Sequence, residues 1–120
     1  MAARFFALDP HGPQGGIQPG SSIDIANVLS GTPNERSASF ASLGARFDVG
    51  IFVSDAYEER IDDYPVFEVM VILDGHATAE SDDGVVTALE PGRVYLLEPG
   101  WSGTWRQSEA VRKFTVVFQP

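Results

Sequence analysis

The side chains that most often supply nucleophiles and metal ligands are absent or poorly placed in this sequence. It contains no cysteine, which excludes a disulfide scaffold, a thiolate metal site and a cysteine nucleophile. Its two histidines are His11, in a segment rich in glycine and proline, and His76, which follows Gly75. Ser102 lies in no Gly-x-Ser-x-Gly elbow, and no histidine is placed to activate it. We therefore do not expect a serine hydrolase.

Acidic residues outnumber basic ones by seventeen to eight, which gives a formal charge of −9. This charge repels a phosphate backbone, and no stretch rich in lysine or arginine offsets it, so we predict no nucleic-acid partner. We interpret the charge as an aid to solubility. The acidic segment 81–84 (Ser-Asp-Asp-Gly) lacks the spacing and the terminal glutamate of an EF-hand. Its Asp-Gly pair instead favours a hairpin turn.

The length of 120 residues is that of one domain. The first eight residues are largely apolar, but Asp9 and Pro10 end the run before it reaches the length of a signal-peptide core. No other run is long enough to span a membrane. We therefore predict a cytoplasmic protein with no membrane partner.

Residues 9–22 are rich in glycine and proline, which favour turns and remove backbone donors. No Gly-Lys-Ser/Thr follows them, so they do not form a phosphate-binding loop. We predict a loop or flexible arm over residues 1–22 and one folded domain over residues 23–120.

From Ile23 onward the chain alternates between short runs typical of strands and turns such as Glu90-Pro91-Gly92. The runs are rich in valine, isoleucine, phenylalanine, tyrosine and threonine, and none has a helical period of useful length. Many short strands joined by regular turns predict an all-β closed barrel or sandwich. The predicted strands are residues 23–25, 37–40, 47–53, 67–73, 85–89, 94–97, 104–107 and 114–118.

Two spaced motifs resemble those of the cupins. Glu68 is followed after seven residues by Gly75, which matches the end of the first cupin motif. Residues 92–100 (Gly-Arg-Val-Tyr-Leu-Leu-Glu-Pro-Gly) match the layout of the second motif, with Glu98 where proline is usual. The resemblance covers roughly residues 28–119 and implies an RmlC-like jelly-roll β-barrel of six to eight strands with an irregular N-terminal arm.

The segments around these motifs narrow the resemblance. Residues 100–105 and 109–114, together with 30–33 and 63–65, are similar to small single-domain cupins related to the ethanolamine-utilisation and ureidoglycine aminohydrolase cupins. This subgroup is therefore the one that the sequence most resembles.

The resemblance also identifies the positions that hold a metal in metal-binding cupins, where two histidines, a glutamate and a third histidine are usual. The corresponding residues here are Asp62, Tyr64, Glu68 and Gly103, and none is a histidine. Iron, nickel, copper and zinc favour imidazole ligands, so we predict no metal cofactor. The alternative is a hard ion, Mg²⁺ or Ca²⁺, bound by Asp62 and Glu68 and completed by waters.

Side-chain alternation extends this set to a pocket. If Glu68 faces the barrel interior, residues two and four positions away along the strand share its face. Gly103 is predicted to leave room where a ligand histidine would stand, and Trp105 to roof the space. The polar groups of the pocket would be Glu68, Tyr64 and Asp62, as in a small-molecule site with apolar walls. The pocket-lining residues predicted in this way are Met70, Ile72, Gly103, Trp105 and Gln107.

Alternatively, these residues serve only to stabilise the fold. Glu68 would then pair with an arginine or with Lys113 and hold the barrel together, because a buried carboxylate without a partner is costly. Trp105 and Met70 then simply fill the interior of a small barrel.

Three functions follow from the resemblance. The first is a metal-independent cupin that binds a small organic molecule in the barrel. The second is an enzyme of the isomerase, lyase or aminohydrolase type, in which Glu68 and Asp62 raise each other's pKa and act as acid and base while Tyr64 donates a proton or a hydrogen bond. The third is a metal cupin with oxygen ligands.

The strand at 67–73 also predicts a partner. Val69, Val71 and Leu73 occupy the face opposite Glu68, where a half-buried strand normally has polar residues. Each exposed side chain of this kind would forgo roughly 1.5–3 kcal/mol of burial. We expect the N-terminal strands, a second subunit or both to cover this face, and we predict a homodimer packed sheet to sheet.

Overall fold

The computed structural model describes residues 2–120, which form eleven strands and one short 3-10 helix. This confirms the predicted all-β class, although the strands outnumber the six to eight implied by the resemblance. The strands are β1 (Gln18–Pro19), β2 (Val28–Gly31), β3 (Arg36–Leu43), β4 (Phe47–Ser54), β5 (Tyr57–Ile61), β6 (Phe67–Asp74), β7 (Ala77–Ser81), β8 (Val86–Leu89), β9 (Val94–Leu97), β10 (Gly103–Gln107) and β11 (Val111–Phe118).

Two antiparallel sheets face each other and enclose the core. One has six strands in the order β1-β3-β4-β11-β6-β9, and the other has five in the order β2-β5-β10-β7-β8. The two sheets form the expected jelly roll with a core between their inner faces. The buried hydrophobic residues that form one contiguous cluster in this core are Tyr57, Met70, Ile72, Ala77, Leu89, Trp105 and Val111.

Strand β6 follows the alternation predicted from its sequence. Glu68, Met70 and Ile72 are buried, while Val69, Val71 and Leu73 on the opposite face are half-buried. In the register of the sheet, Glu68 lies between Val117 of β11 and Leu97 of β9. Pairing with a neighbour on each side therefore fixes β6 with the Glu68 carboxyl inside the barrel.

Some local predictions are wrong. The expected strand at residues 23–25 is replaced by a 3-10 helix, Ile25–Asn27, whose N-cap Asp24 accepts a hydrogen bond from the Ala26 amide at 2.9 Å. Strands β1, β2, β5 and β7 were not predicted. In β5 and β7 the outward positions carry charged side chains that pair across the sheet, as Arg106 of β10 does with Glu80 at 3.1 Å. Their sequences therefore look too polar for strands.

The N-terminal arm is attached to the barrel rather than free along its whole length. Gln18 and Pro19 pair with Ser37 and Arg36 of β3, so β1 extends the six-stranded sheet from within the predicted arm. Nearer the terminus, the Arg112 guanidinium donates to the carbonyl oxygen of Pro10 at 2.8 Å. Residues 2–17 contain no strand or helix, in agreement with the predicted irregular arm.

The outer faces of the two sheets differ in chemistry. The five-stranded sheet carries charged residues outward, with Arg106 between Glu58 and Glu80. The outer face of the six-stranded sheet is apolar, and several of its large side chains remain exposed: Phe47, Phe67, Val94, Leu96 and Phe118. Within residues 2–120, no helix has the length and apolar character needed to cross a membrane.

Candidate functional site

A cavity of about 700 Å³ lies between the two sheets. Inward-facing side chains of both sheets line it, because alternate residues of each strand point to the barrel interior. Asp24 and Asp62, which are exposed, lie at its rim. The side chains that decide its chemistry are Phe52, Tyr57, Glu59, Tyr64, Glu68 and Trp105.

Glu68 is the centre of a buried polar cluster. The Tyr64 hydroxyl donates to Glu68 Oε1 at 2.5 Å, and Lys113 Nζ donates to Glu68 Oε2 at 3.1 Å. The Glu68 and Lys113 side chains are only 8% and 12% exposed. The ammonium group therefore compensates the buried carboxylate charge, as the structural alternative proposed for Lys113.

Aromatic rings hold the Lys113 ammonium from two sides. Its Nζ lies 4.9 Å from the ring centroid of Trp105 and 5.2 Å from that of Phe52, within the range of a cation–π contact. The Trp105 indole is itself fixed, since its Nε1 donates to Gln107 Oε1 at 2.9 Å. Lys113 is thus positioned by the barrel wall as well as by Glu68.

Tyr64 reaches the cavity from the loop between β5 and β6. Its backbone amide donates to the Trp101 carbonyl at 2.9 Å, and the Gly100 amide donates to the Tyr64 carbonyl at 2.8 Å. Burial raises the pKa of Tyr64 above its usual value, and the nearby Glu68 charge raises it further. The hydroxyl therefore stays protonated and acts as a donor to Glu68.

A second pair, Tyr57 and Glu59, lies on β5. The Tyr57 hydroxyl donates to Glu59 Oε1 at 2.7 Å. Burial raises the pKa of Glu59, and the hydrogen bond from Tyr57 and the charge of Lys113 oppose the rise only in part. Among the ion pairs of residues 2–120, none involves Glu59. Glu59 is therefore a cavity carboxylate without a cationic partner.

Asp62 is not brought next to Glu68, contrary to the expected pair of interacting carboxylates. Its side chain is 67% exposed and forms an ion pair with Arg60 at 2.9 Å. Arg60 also donates to both carboxylate oxygens of Asp82 at 2.6 and 2.7 Å. Because Arg60 lies on the outer face of β5, it holds Asp62 at the rim of the cavity.

The structure divides the predicted pocket-lining residues between several places. Trp105 lines the main cavity, and with Met70 it also lines an adjoining apolar cavity of about 220 Å³. Ile72 is part of the closed core. Gln107 is buried, and its amide nitrogen donates to backbone carbonyls of Ser54, Asp55 and Glu109. Ile72 and Gln107 thus serve packing rather than the cavity.

The prediction that Gly103 leaves room for a ligand histidine is wrong. A Cβ atom at Gly103 would overlap the Glu80 carbonyl and would lie 2.5 Å from Cζ2 of Trp101. The Trp101 ring therefore fills the space that the missing side chain was expected to leave.

The residues present do not fit a metal centre of the kind found in metal-binding cupins. Within residues 2–120, no three or more histidine, cysteine, aspartate and glutamate side chains are grouped to hold a metal ion. Asp62 is engaged by Arg60, and Glu68 by Tyr64 and Lys113. His76 is exposed and lies 3.5 Å from Glu109, away from the cavity. The positive charge next to Glu68 is that of Lys113.

Sequence reasoning missed Glu59 and Tyr57. The segment Tyr57–Ile61 alternates, with Tyr57, Glu59 and Ile61 facing inward and two charged residues facing outward. This period of two indicates a strand and could have been recognised from the sequence. Three of the five residues are charged, however, which is unusual for a strand with one buried face.

Comparison with known proteins agrees with the fold. The family model of the EutQ-like cupin domain matches residues 47–114. A DUF861 family protein of unknown function from Pseudomonas syringae is similar in structure, with a TM-score of 0.82, 23% sequence identity and coverage of 92% of this chain. The chain spans only 46% of that protein.

Two further structures are similar at lower identity. The Clostridium difficile EutQ protein has a TM-score of 0.63 and 13% identity, over 73% of this chain and 64% of its own. The cupin domain of Schizosaccharomyces pombe Cnp3 has a TM-score of 0.60 and 16% identity, over 84% of this chain and 74% of its own. No curated protein sequence matches the chain. Because the matched residues 47–114 make up more than half of its length, the chain belongs to the EutQ-like cupin domain family.

Proposed function

We propose that this cupin domain binds a small organic molecule in the cavity between its sheets, without a metal ion. The observation that carries the proposal is the buried cluster of Tyr64, Glu68 and Lys113 beside a cavity of about 700 Å³. Cavities of roughly 300–1,000 Å³ with apolar walls and a few directed polar groups are typical of small-molecule sites.

The cluster is better suited to binding than to holding the barrel together. Burying an ion pair costs desolvation energy that an apolar pair of similar volume avoids, so stability alone is a weak reason to keep it. Each Glu68 oxygen accepts one hydrogen bond and has the capacity for a second. A ligand hydroxyl or amine can therefore donate to Glu68 without displacing Tyr64 or Lys113.

Acid–base catalysis on a small metabolite, of the isomerase, lyase or aminohydrolase type, is a second candidate. The observation that favours it is the contrast between two carboxyl groups in one cavity: Glu68 has a cation beside it, whereas burial raises the pKa of Glu59. Carboxyl groups whose environments differ in this way can act as base and acid. In this candidate Glu59 takes the role that the sequence suggested for Asp62.

A screen of small polar metabolites tests both candidates. Thermal-shift and ligand-observed NMR measurements on metal-depleted protein should identify ligands that lose at least about tenfold in affinity in Glu68→Gln. The matched control is Glu80→Gln, which removes a carboxylate on the outer face of β7 next to Arg106. Ligands that bind Glu68→Gln as tightly as the wild type would contradict the proposed site. Turnover of a ligand would favour the enzyme.

Assembly and location complete the proposal. We propose that two copies pack through the apolar outer face of the six-stranded sheet, supported by its exposed Val94, Leu96 and Phe118. We place the protein in the cytoplasm, which the absence of cysteine favours.

A further inference from the structure

We propose that the molecule held in the cavity carries a positively charged amine and that Glu59 binds this amine. The inference rests on the proposed function, because it names the chemical class of ligand for the same cavity.

The side chains around the cavity carry more negative than positive charge. Five carboxylates line it: Asp24, Asp48, Glu59, Asp62 and Glu68. Among residues 2–120, one cationic side chain, Arg60, belongs to the lining; it lies at the rim and is paired with Asp62 and Asp82. Lys113 packs against Trp105 and Phe52 of the lining and is paired with Glu68. The cavity therefore has an excess of negative charge, which disfavours an anionic ligand and attracts a cation.

Glu59 uses only one of its two carboxylate oxygens in a hydrogen bond within residues 2–120. Its Oε1 accepts the hydrogen bond from Tyr57, and within residues 2–120 no side-chain or backbone donor reaches its Oε2. No buried side-chain oxygen of the described residues lacks a partner, so Oε2 is open to the cavity space that Glu59 lines. A half-buried carboxylate oxygen that is open to a cavity is a site for a charge-assisted hydrogen bond from a ligand ammonium.

The other acidic residues of the wall are less suitable. Asp48 accepts from the Ser39 hydroxyl at 2.5 Å, and Asp24 caps the 3-10 helix at the rim. Burial raises the pKa of Glu59 although the Tyr57 hydrogen bond and the Lys113 charge oppose the rise, and a ligand ammonium would supply the direct cationic partner that Glu59 lacks. Among the five carboxylates, Glu59 therefore gains most from a cationic ligand.

Aromatic side chains form part of the cavity wall near the two glutamates. Tyr57 and Tyr64 line the cavity next to the two glutamates, so an ammonium group at Glu59 would also lie among aromatic rings. Aromatic faces attract a cation and accommodate the apolar carbon atoms attached to it. An amine on a short aliphatic or aromatic skeleton matches both features.

Three probes of the same skeleton test the inference: 2-phenylethylamine, 2-phenylethanol and 3-phenylpropionate, titrated at pH 7.5 by ligand-observed NMR. The amine should bind more tightly than the other two. Glu59→Gln should weaken its binding about tenfold or more, since one charge-assisted hydrogen bond is lost. The matched control is Glu58→Gln, which removes the neighbouring carboxylate on the outer face near Arg106 and should leave binding unchanged.

The ranking of the probes on the wild-type protein tests the inference even if a variant fails to fold. Preferred binding of the carboxylate or the alcohol would overturn it, as would an amine affinity unchanged in Glu59→Gln. If the alcohol or the carboxylate binds in a manner that depends on Glu68, the cavity function stands and only the amine inference falls. If none of the probes and no metabolite of the wider screen binds, both fall.

Discussion

At the scale of single residues, Lys113 gives the barrel an internal cation beside the buried Glu68 carboxyl. The ammonium group lies 3.1 Å from Glu68 and is held between Trp105 and Phe52. Tyr64 completes the cluster from a loop whose backbone is tied to the Gly100–Trp101 turn. Glu68 is thus buried and hydrogen-bonded by protein groups alone, so the proposed ligand would meet a prearranged site.

Removing the Lys113 ammonium should destabilise the protein, because the Glu68 carboxylate stays buried without its cationic partner. We expect Lys113→Met to lower the free energy of unfolding by roughly 3–5 kcal/mol, because it leaves an uncompensated buried charge. The double variant Lys113→Met with Glu68→Gln should recover much of this loss. Urea denaturation measures both. A single variant as stable as the wild type would mean that the pair contributes nothing to the fold.

Glu59 should make stability depend on pH in a defined direction. Its pKa is raised in the folded state, so the protonated form is favoured there and its contribution is lost as pH rises through the folded pKa. Glu59→Gln removes this loss and keeps an acceptor for Tyr57. We therefore expect the variant to be more stable than the wild type at pH 8, with the difference disappearing towards pH 4. Urea denaturation at both values checks it, and a variant less stable at pH 8 would show that the pKa is lowered instead.

At the scale of elements, the spacing from Glu68 to Gly75 has a structural reason. Gly75 directly follows β6 and has a positive φ of 83°, and a Cβ atom there would overlap the carbonyl oxygen of Ala110. The chain can turn from β6 into β7 only because this position has no side chain. Glu68, in turn, lies one position into β6 and faces inward.

Gly75→Ala should therefore destabilise the protein by more than positive φ alone accounts for. We expect the free energy of unfolding to fall by roughly 3 kcal/mol or more. The loss combines backbone strain at residue 75 with displacement of Ala110 and of β11, which begins at Val111. Gly84→Ala is the matched control, because Gly84 also has a positive φ but no atom lies within 4 Å of its added Cβ. Gly84→Ala should cost only about 1 kcal/mol. Thermal unfolding compares the two, and equal losses would contradict the packing argument.

The sequences of individual strands explain which parts of the fold and of the site could be predicted. Strands such as β6 and β11 are rich in valine, isoleucine and phenylalanine, and the period of two placed Glu68 and Met70 inside correctly. Strand β5 was missed because its outward residues are charged, and Glu59 was missed with it. Gly103 was misjudged because the position of the Trp101 ring depends on the tertiary fold. The local sequence pattern predicts whether a side chain faces the barrel interior, but it does not predict which side chain from another part of the chain packs next to it.

At the scale of the whole molecule, the contrast between the two outer faces favours association through one of them. The outer face of the five-stranded sheet is covered by ion pairs such as Arg106 with Glu80. The six-stranded sheet exposes Phe67 and Phe118, whose rings lie 6.5 Å apart, together with Leu96 and Val94 on the edge strand β9. An apolar surface of this kind usually marks an interface.

A pair of matched substitutions tests the proposed dimer. Leu96 and Val86 are 60% and 59% exposed and lie on the edge strands of the apolar and the charged sheet. We expect the wild type to be a dimer by multi-angle light scattering at micromolar concentration, Leu96→Glu to be monomeric, and Val86→Glu to remain dimeric. A charged residue in the interface would be buried without a partner. A wild-type monomer, or a dimer that tolerates Leu96→Glu, would contradict the proposed face.

Lys113 supplies a positive charge beside Glu68, and the proposed function requires no metal ion there. The most direct measurement is the metal content of untagged protein, purified without chelator and analysed by mass spectrometry beside Glu68→Gln. We expect both proteins to contain far less than one metal ion per chain, since imidazole ligands are absent from the site and Glu68 is already paired. Near-stoichiometric metal in the wild type that is lost in Glu68→Gln would contradict the account.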